Sequence, residues 1–360
     1  MSKPDKVFII AEAGVNHNGS LELAQRLVDV AVQAGADAVK FQTFKADKVV
    51  SRFASKAEYQ TRNTGNTESQ LEMVKKLELD EEQHMVLAEH CRKRDIEFMS
   101  TPFDLDSVDL LANVVNVSRL KIPSGEITNG LMLLQFARTG KPVILSTGMS
   151  TLDEVETALG VLAFGLINSQ EKPSMEAFKE AYSSNEGQSL LKDKVSLLHC
   201  TTEYPAPFDE VNLKAMDTLR DNFALPVGYS DHTRGIAVPI AAVARGAVII
   251  EKHFTLDRNL PGPDHKASLE PDELKQMVNS IRQIELALGN GIKHPTASEL
   301  KNMAVARKSL VAIKGLKKGE LFTEANLGVK RPGTGLSPLE YWGLLGEKAD
   351  KDYMSDEVIE

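Results

Sequence analysis

Two histidines, each two residues beyond a polar partner at the end of an apolar run, carry the first chemistry the sequence offers. Ser230 and His232 end one run, and Glu251 and His253 end the next, within PVGYSDHTRGIAVPIAAVARGAVIIEKHF from Pro226 to Phe254. Strand side chains alternate between faces, so the members of each pair share one face. The intervening GIAVPIAAVARG has the length and apolar content of one helix, which makes the unit strand, helix, strand. Such a crossover sets its strands parallel with their carboxyl ends at one edge, where the two imidazoles face each other. Two neutral imidazoles on a rigid frame hold a divalent cation with most of its coordination sphere open, the pattern of a catalytic site. Two hydrogen-bonded histidines at strand ends are the plain alternative.

Polar endings recur along the chain. Glu12 lies in VFIIAEAG, Lys40 and Gln42 in AVKFQTF, Ser100 and Thr101 in EFMSTPFD, and Lys121 and Ser124 in RLKIPSGE. Ser146 and Thr147 follow in PVILSTG, then His199 and Thr201 in VSLLHCT. Eight such endings are hard to assign to chance, because burying unpaired charge costs several kcal/mol. Lys40 and Lys121 sit behind apolar residues, with hydroxyls from Thr101, Ser124, Ser146 and Ser230 to complete a phosphate and carboxylate site. Internal ion pairing with Glu12, Glu126 and Glu251 is the competing role. A Schiff base on Lys40, Lys121 or Lys252 is a third. Glu12 precedes GVNHNG and suits water orientation or proton transfer, whereas His17 reads as a hydrogen-bonded loop residue. Asp264, in GPDH, is available to sugar hydroxyls or to a turn.

The elements that must position these groups alternate regularly. Eight apolar strands and intervening helices over about 290 residues fit a (β/α)8 TIM barrel, whose active site lies at the carboxyl ends of the strands. Ser20 is the expected N-cap of SLELAQRLVDVAVQA and Gly35 its stop. No GxGxxG follows the first strand, which weakens a dinucleotide-binding reading. The long polar segment 45–79 leaves the carboxyl side of a strand and is expected to be a lid. Residues 170–194 precede the sixth strand on the opposite face and read as decoration. Residues 1–289 make the barrel, closed by an amphipathic helix from Glu270 to Leu288. A linker follows over 290–303, and 304–360 form a compact domain of short strands and turns.

The 360 residues carry a net charge of -9, which argues against nucleic acid or an anionic membrane as partner. The opening MSKPDK leads into no signal core, and the most apolar window carries an arginine and is too short for a bilayer. Two cysteines, Cys91 and Cys200, suit a reducing compartment, and the expected location is cytoplasmic.

In this order AEAGVNHNG, KFQTFKADK, STPFD, KIPSGE, STGM, HCTTEYPAP, GYSDHT, EKHFTLD and GPDHKASLEP resemble the bacterial sialic acid synthases and their legionaminic acid relatives. KKGE, NL and KRPGTG resemble the antifreeze-protein-like (SAF) domain that ends them. The resemblance implies condensation of phosphoenolpyruvate with an N-acetylmannosamine-type sugar, or its 2,4-diacetamido-2,4,6-trideoxy relative, to a nine-carbon 2-keto acid and phosphate. It implies that His232 and His253 hold a divalent metal, manganese first, with magnesium or cobalt as alternatives. Lys40, Thr101, Lys121, Ser124, Ser146 and Ser230 match phosphoenolpyruvate contacts. Glu12, Gln42, Tyr204, Glu251 and Asp264 match positions around the sugar and the reacting centre. Thr202 stands where some members have asparagine, which puts one phosphate contact in question. Arg331 matches an arginine lent to the partner's barrel in a domain-swapped homodimer, with a solvated loop arginine as its alternative. Outside this reading stand a lysine Schiff-base aldolase on the same barrel and a non-catalytic sugar- or ice-binding protein.

Overall fold

The apolar runs form eight strands, β1 (Phe8–Gly14), β2 (Ala38–Thr43), β3 (Glu97–Pro102), β4 (Leu120–Ile122), β5 (Val143–Ser146), β6 (Val195–Cys200), β7 (Val227–Asp231) and β8 (Ile249–His253). The computed structural model describes residues 6–65 and 68–360. Met1–Asp5, where a signal core was not expected, and Asn66 and Thr67 of the lid lie outside the described residues. The strands lie in the order β3-β2-β1-β8-β7-β6-β5-β4, and every paired neighbour is parallel. Helices connect them on the outside, so the fold is a (β/α)8 barrel. The ring is nearly closed. β3 and β4 lie side by side without a ladder, because β4 has three residues and then meets Pro123, which has no N–H to give.

Alternation within the strands layers the interior. Ile10, Ala38, Met99, Ile144, Leu198 and Ile249 pack into one apolar floor. Two residues further along the same strands stand Glu12, Lys40, Thr101, Ser146, Cys200 and Glu251, which share the face of the floor residues. The chemistry therefore sits one pleat above a dry base. On the other face, Ile9, Ala11, Val39, Phe41, Leu197, Tyr229 and Ile250 join helix residues such as Leu27, Leu87, Leu162 and Leu274 in the main core. The helix Leu21–Ala34 starts at Ser20, whose hydroxyl accepts the Leu23 N–H, and stops at Gly35 with φ 81°, as its sequence predicts.

Lys252 and Asp231 have the outer parity and are fully buried beneath the helices. Lys252 Nζ donates to Asp231 at 2.6 Å and to the Thr233 carbonyl, while Tyr229 Oη and Thr233 N donate to the same carboxylate. Lys252 is thereby removed from the Schiff-base candidates. Lys252→Met leaves Asp231 charged and unpaired in the core, and a loss of about 3–5 kcal/mol is expected in urea unfolding. Pairing it with Asp231→Leu is expected to recover most of that loss; a double variant as unstable as the single one would contradict the assignment.

The segment 45–79 contains three short helices, Ala46–Val49, Glu58–Thr64 and Gln70–Lys75, instead of an unbroken polar stretch. Residues 170–194 are two helices, Met175–Ser183 and Asn185–Lys194, and Phe178 meets Phe164 edge to face at 5.3 Å. That segment extends the outer core and is more than decoration.

The chain divides into Met1–Gly289 and Asn290–Glu360. Within the stretch read as a linker, Thr296 caps a helix, Ala297–Ala306. The second unit pairs β9 (Ser309–Ala312) antiparallel with β10 (Leu327–Lys330) over a core of Leu310, Leu316, Phe322, Leu327, Tyr353 and Ile359. Among the described residues no helix is long and apolar enough to cross a membrane.

Candidate active site

A cavity of about 630 Å³ opens at the carboxyl ends of the strands. Glu12, Lys40, Gln42, Thr101, Lys121, Ser124, Ser146, Tyr204, Ser230, His232, Glu251, His253 and Asp264 all line it. Thus the barrel brings the residues matched in sequence to metal, phosphoenolpyruvate and sugar to a single mouth, while Ser100, Thr147, His199 and Thr201 do not line it. Arg331 belongs to the second unit, where it is exposed and its Nε donates to Ala306 O.

Glu251 is the hub of the charged layer. Its carboxylate accepts from Ser230 Oγ at 2.8 Å and stands 3.5 Å from Lys121 Nζ and 3.6 Å from Lys40 Nζ. Lys121 Nζ donates to Ser146 Oγ, and Lys40 Nζ to Thr101 Oγ1, both at 2.8 Å. Lys40 also meets Glu12. Burial works against charge on Glu251, but Lys121 and Lys40 overcome it and hold the carboxyl down at about 2. Burial wins at Glu12, which is pushed up to about 7 although Lys40 pulls it down. Burial also opposes charge on Lys40, yet the two carboxylates keep its ammonium above the usual lysine range. Lys121 is lowered by burial. Two carboxylates in one site with opposite shifts mark different duties, one permanently ionised and one able to exchange a proton near neutrality. Internal ion pairing and ligand binding are thus properties of the same lysines. Glu126 takes no part, since it accepts from Asn129 instead.

The hydroxyls need close backbone approach. A Cβ on Gly148 would stand 2.8 Å from Ser124 Oγ and 2.9 Å from Cys200 Sγ, and the Gly148 N–H donates to Ser124 Oγ at 3.0 Å. Gly14 has φ 51°, and a Cβ there would press on Glu12 and His253. Cys200 is buried 3.1 Å from Ser124, and burial raises its thiol, so it is not an ionised nucleophile.

Above this layer the His232 and His253 rings stand 5.6 Å apart, centre to centre. His232 Nδ1 lies 2.6 Å from the Thr201 carbonyl, which makes it the donor and leaves Nε2 with its lone pair. His253 Nδ1 is buried without a hydrogen-bond partner among the described residues. Burial lowers the pKa of both rings, and at His253 the neighbouring His232 and Lys40 add to the effect. Two neutral imidazoles with unused nitrogens fit a divalent cation. Among the described residues no three His, Cys, Asp or Glu side chains converge as a fuller ligand set, so water and substrate would complete the sphere.

The sides of the mouth are less charged. The Tyr204 ring is 4.2 Å from His232 and 5.6 Å from His253, and its loop is tied down where Ala206 N donates to His232 O. Burial pushes Asp264 up to about 6. Thr202 also lines the cavity, as do Val15, Phe44, Met73, Val74 and Leu77 around the lid.

Four of the strand-end polar residues, Ser100, Thr147, His199 and Thr201, do not line the cavity. Ser100 hydrogen-bonds Thr43, which in turn bonds His84, on the outer side. His199 Nε2 meets the Val211 carbonyl, and Thr147 Oγ1 donates to Leu198 O. His17 is buried, and burial lowers it to about 4. Sequence reasoning did not single out Tyr59 and Gln60 of the lid, which line the cavity. Tyr59, Arg62 and Asn63 share one face of the helix Glu58–Thr64, which is too short to announce itself in the sequence.

The sequence matches the NeuB family over residues 27–293 and the SAF domain over 307–359. It is 54% identical to the N,N'-diacetyllegionaminic acid synthase of Campylobacter jejuni over 98% of this chain and 99% of that one. It is 50% identical to the synthase of the same name from Legionella pneumophila, over 95% and 90% of the two chains. The solved N-acetylneuraminic acid synthetase of Leptospira borgpetersenii superposes with a TM-score of 0.66 at 37% identity, covering 82% of this chain and 90% of that one.

Proposed function

The chain belongs to the NeuB family, and from that membership we propose a specific course for its work as a nonulosonate synthase. It is an enzyme that joins phosphoenolpyruvate to an N-acetylated amino sugar and releases phosphate. One observation carries the reading: two buried lysines flank Glu251 on the floor of the cavity whose upper layer holds the paired imidazoles.

Lys40 and Lys121, with Thr101, Ser124, Ser146 and Ser230, bind the phosphate and carboxylate of phosphoenolpyruvate, supplying proximity and charge neutralisation. Glu251 keeps both ammonium groups aimed into the cavity. His232 and His253 would hold a divalent ion, manganese first, and its chemistry there is Lewis-acid polarisation of an aldehyde oxygen. The C3 carbon of phosphoenolpyruvate attacks the open-chain aldehyde, whose oxygen takes a proton and becomes a hydroxyl. C2 is left as an oxocarbenium. Glu12 orients a water and takes its proton as the oxygen bonds to C2, replacing the proton gained by the aldehyde oxygen; phosphate then departs with the C–O bonding pair and takes the proton of the new C2 hydroxyl, which becomes the keto oxygen. Tyr204, Gln42 and Asp264 orient the sugar. Lys40 is held as an ammonium by two carboxylates, which disfavours the Schiff-base course, since that needs a free amine.

The acceptor is the 2,4-diacetamido-2,4,6-trideoxy sugar. Both legionaminic relatives support this, and so does the apolar roof of Val15, Phe44, Met73, Val74 and Leu77, which suits acetyl methyls and a deoxy carbon. Offered side by side with N-acetylmannosamine, phosphoenolpyruvate and manganese, it is expected to show a kcat/KM at least about tenfold higher, measured by phosphate release. Consumption of neither sugar would remove the synthase reading itself.

The working form is a domain-swapped homodimer in which Arg331 serves the partner's mouth. Exposed Leu131 at the start of the helix Gly130–Arg138, Met149 after β5 and Phe208 after β6 support a covering partner, and a monomer in light scattering would count against it. Cys91 and Cys200, both free and buried, support a cytoplasmic setting.

A further inference from the structure

The helix Glu58–Thr64 is held across the mouth at two points. Arg62 Nη2 reaches Glu203 at 3.2 Å, beside Tyr204, and Asn63 Nδ2 donates to the Pro263 carbonyl, beside Asp264. Tyr59 lies three and four residues before these anchors, so all three side chains share one helical face. That face is turned into the cavity: the Tyr59 ring stands 5.1 Å from the Tyr204 ring at a tilt of 35°. Tyr204 in turn is in ring contact with His232. The order from the imidazoles outward is therefore His232, Tyr204, Tyr59.

This order maps onto an open-chain sugar. Its aldehyde carbon must lie at the imidazole end, where the reaction occurs, and the remaining carbons must extend away from it. Tyr204 meets the carbons next to the aldehyde, which are alike in the two candidate sugars. Tyr59 meets the chain further along, where one sugar carries an acetamido group at C4 and the other a hydroxyl. An aromatic face receives the flat, methyl-tipped acetamido group well, and a phenol can hydrogen-bond its amide. Among the described residues the Tyr59 hydroxyl accepts only from Gln60 Nε2, at a long 3.5 Å, which leaves its O–H available to a ligand. Burial, with the Asp264 carboxylate adding to it, raises the phenol, so it stays a neutral donor at any physiological pH.

We propose that Tyr59 is the residue by which this enzyme selects a 4-acetamido acceptor over a 4-hydroxy one, through its ring and hydroxyl held against Tyr204. The inference rests on the synthase reading above. It assigns the lid a recognition role.

The test compares wild type, Tyr59→Phe and Tyr59→Ala with both sugars at saturating phosphoenolpyruvate and manganese. Tyr59→Ala is expected to lower kcat/KM for the diacetamido sugar by about tenfold or more, through KM, because a shaped apolar contact and a bond are lost together. N-acetylmannosamine should change by less than about threefold, and the KM for phosphoenolpyruvate should not move. Tyr59→Phe keeps the ring and is expected to lose about threefold to tenfold on the diacetamido sugar alone, the worth of one hydrogen bond. Equal losses on both sugars would reduce Tyr59 to a staple of the lid and overturn the proposal. So would an unchanged preference in both variants while wild type consumes the diacetamido sugar. Wild type that consumes neither sugar overturns the synthase reading, and this one with it.

Discussion

Replacing His253 with alanine is expected to lower turnover by at least about a thousandfold while leaving the barrel folded. The fold should survive because no hydrogen bond from the His253 Nδ1 is lost: it has no partner among the described residues, and β8 is held by backbone bonds, including Leu269 N to His253 O at 2.9 Å. The chemistry should not survive. The described residues offer two imidazoles and no third converging ligand, so one substitution removes half of the protein's hold on a cation. Loss of an outer-shell partner alone costs about 10–100-fold in metal affinity or activity, and a direct ligand should cost more. Calorimetric titration with manganese gives a readout independent of turnover. A variant that keeps wild-type manganese affinity, or turnover within about tenfold, would place the ion elsewhere or dispense with it. His232→Ala is the weaker control, because it also frees the Thr201 carbonyl.

Much of this site was legible because a strand has a period of two. Ser230 with His232 and Glu251 with His253 follow from that period alone, and the same step leads from Ile10 to Glu12 and from Ala38 to Lys40. The same period also decides which neighbouring polar residues stay out of the mouth. Ser100 and Thr101 are adjacent and cannot share a face, and the structure turns Thr101 to Lys40 and Ser100 to Thr43. Lys252 sits between Glu251 and His253 and so had to point outward, where Asp231 has the matching parity. The open seam between β3 and β4 was less accessible, since it depends on how few residues β4 contributes before Pro123. The lid was found by its length but not by its contacts. Its helices are four to seven residues long, too short for hydrophobic periodicity to register, and Tyr59 acquires meaning only when Tyr204 arrives from a distant loop.

Glu12→Gln is expected to lower kcat by about 10²–10⁴-fold and to remove the acid limb of the pH profile. In the wild type Glu12 must be ionised to take a proton from water, and its pKa stands at about 7. As pH falls through that value the ionised fraction drops tenfold per unit, so kcat/KM should fall with it. Lys40 and Lys121 balance Glu12 and Glu251, and an incoming phosphoenolpyruvate adds negative charge. That addition pushes Glu12 higher still, so the limb in kcat should lie above the limb in kcat/KM. Stability gives a second readout with its own sign. A carboxyl raised in the folded state above its ordinary 4.5 contributes stability fully below pH 4.5, and that contribution is lost as pH rises through about 7. Urea unfolding should therefore show wild type losing ground to the glutamine variant between pH 5 and pH 8. Glu251, held at about 2, has the opposite sign: its contribution is present above 4.5 and is lost as pH falls toward 2. The competing base is Asp264, which burial pushes up to about 6. If the glutamine variant keeps an acid limb and near wild-type kcat, the proton goes to Asp264, and Glu12 serves only to hold Lys40.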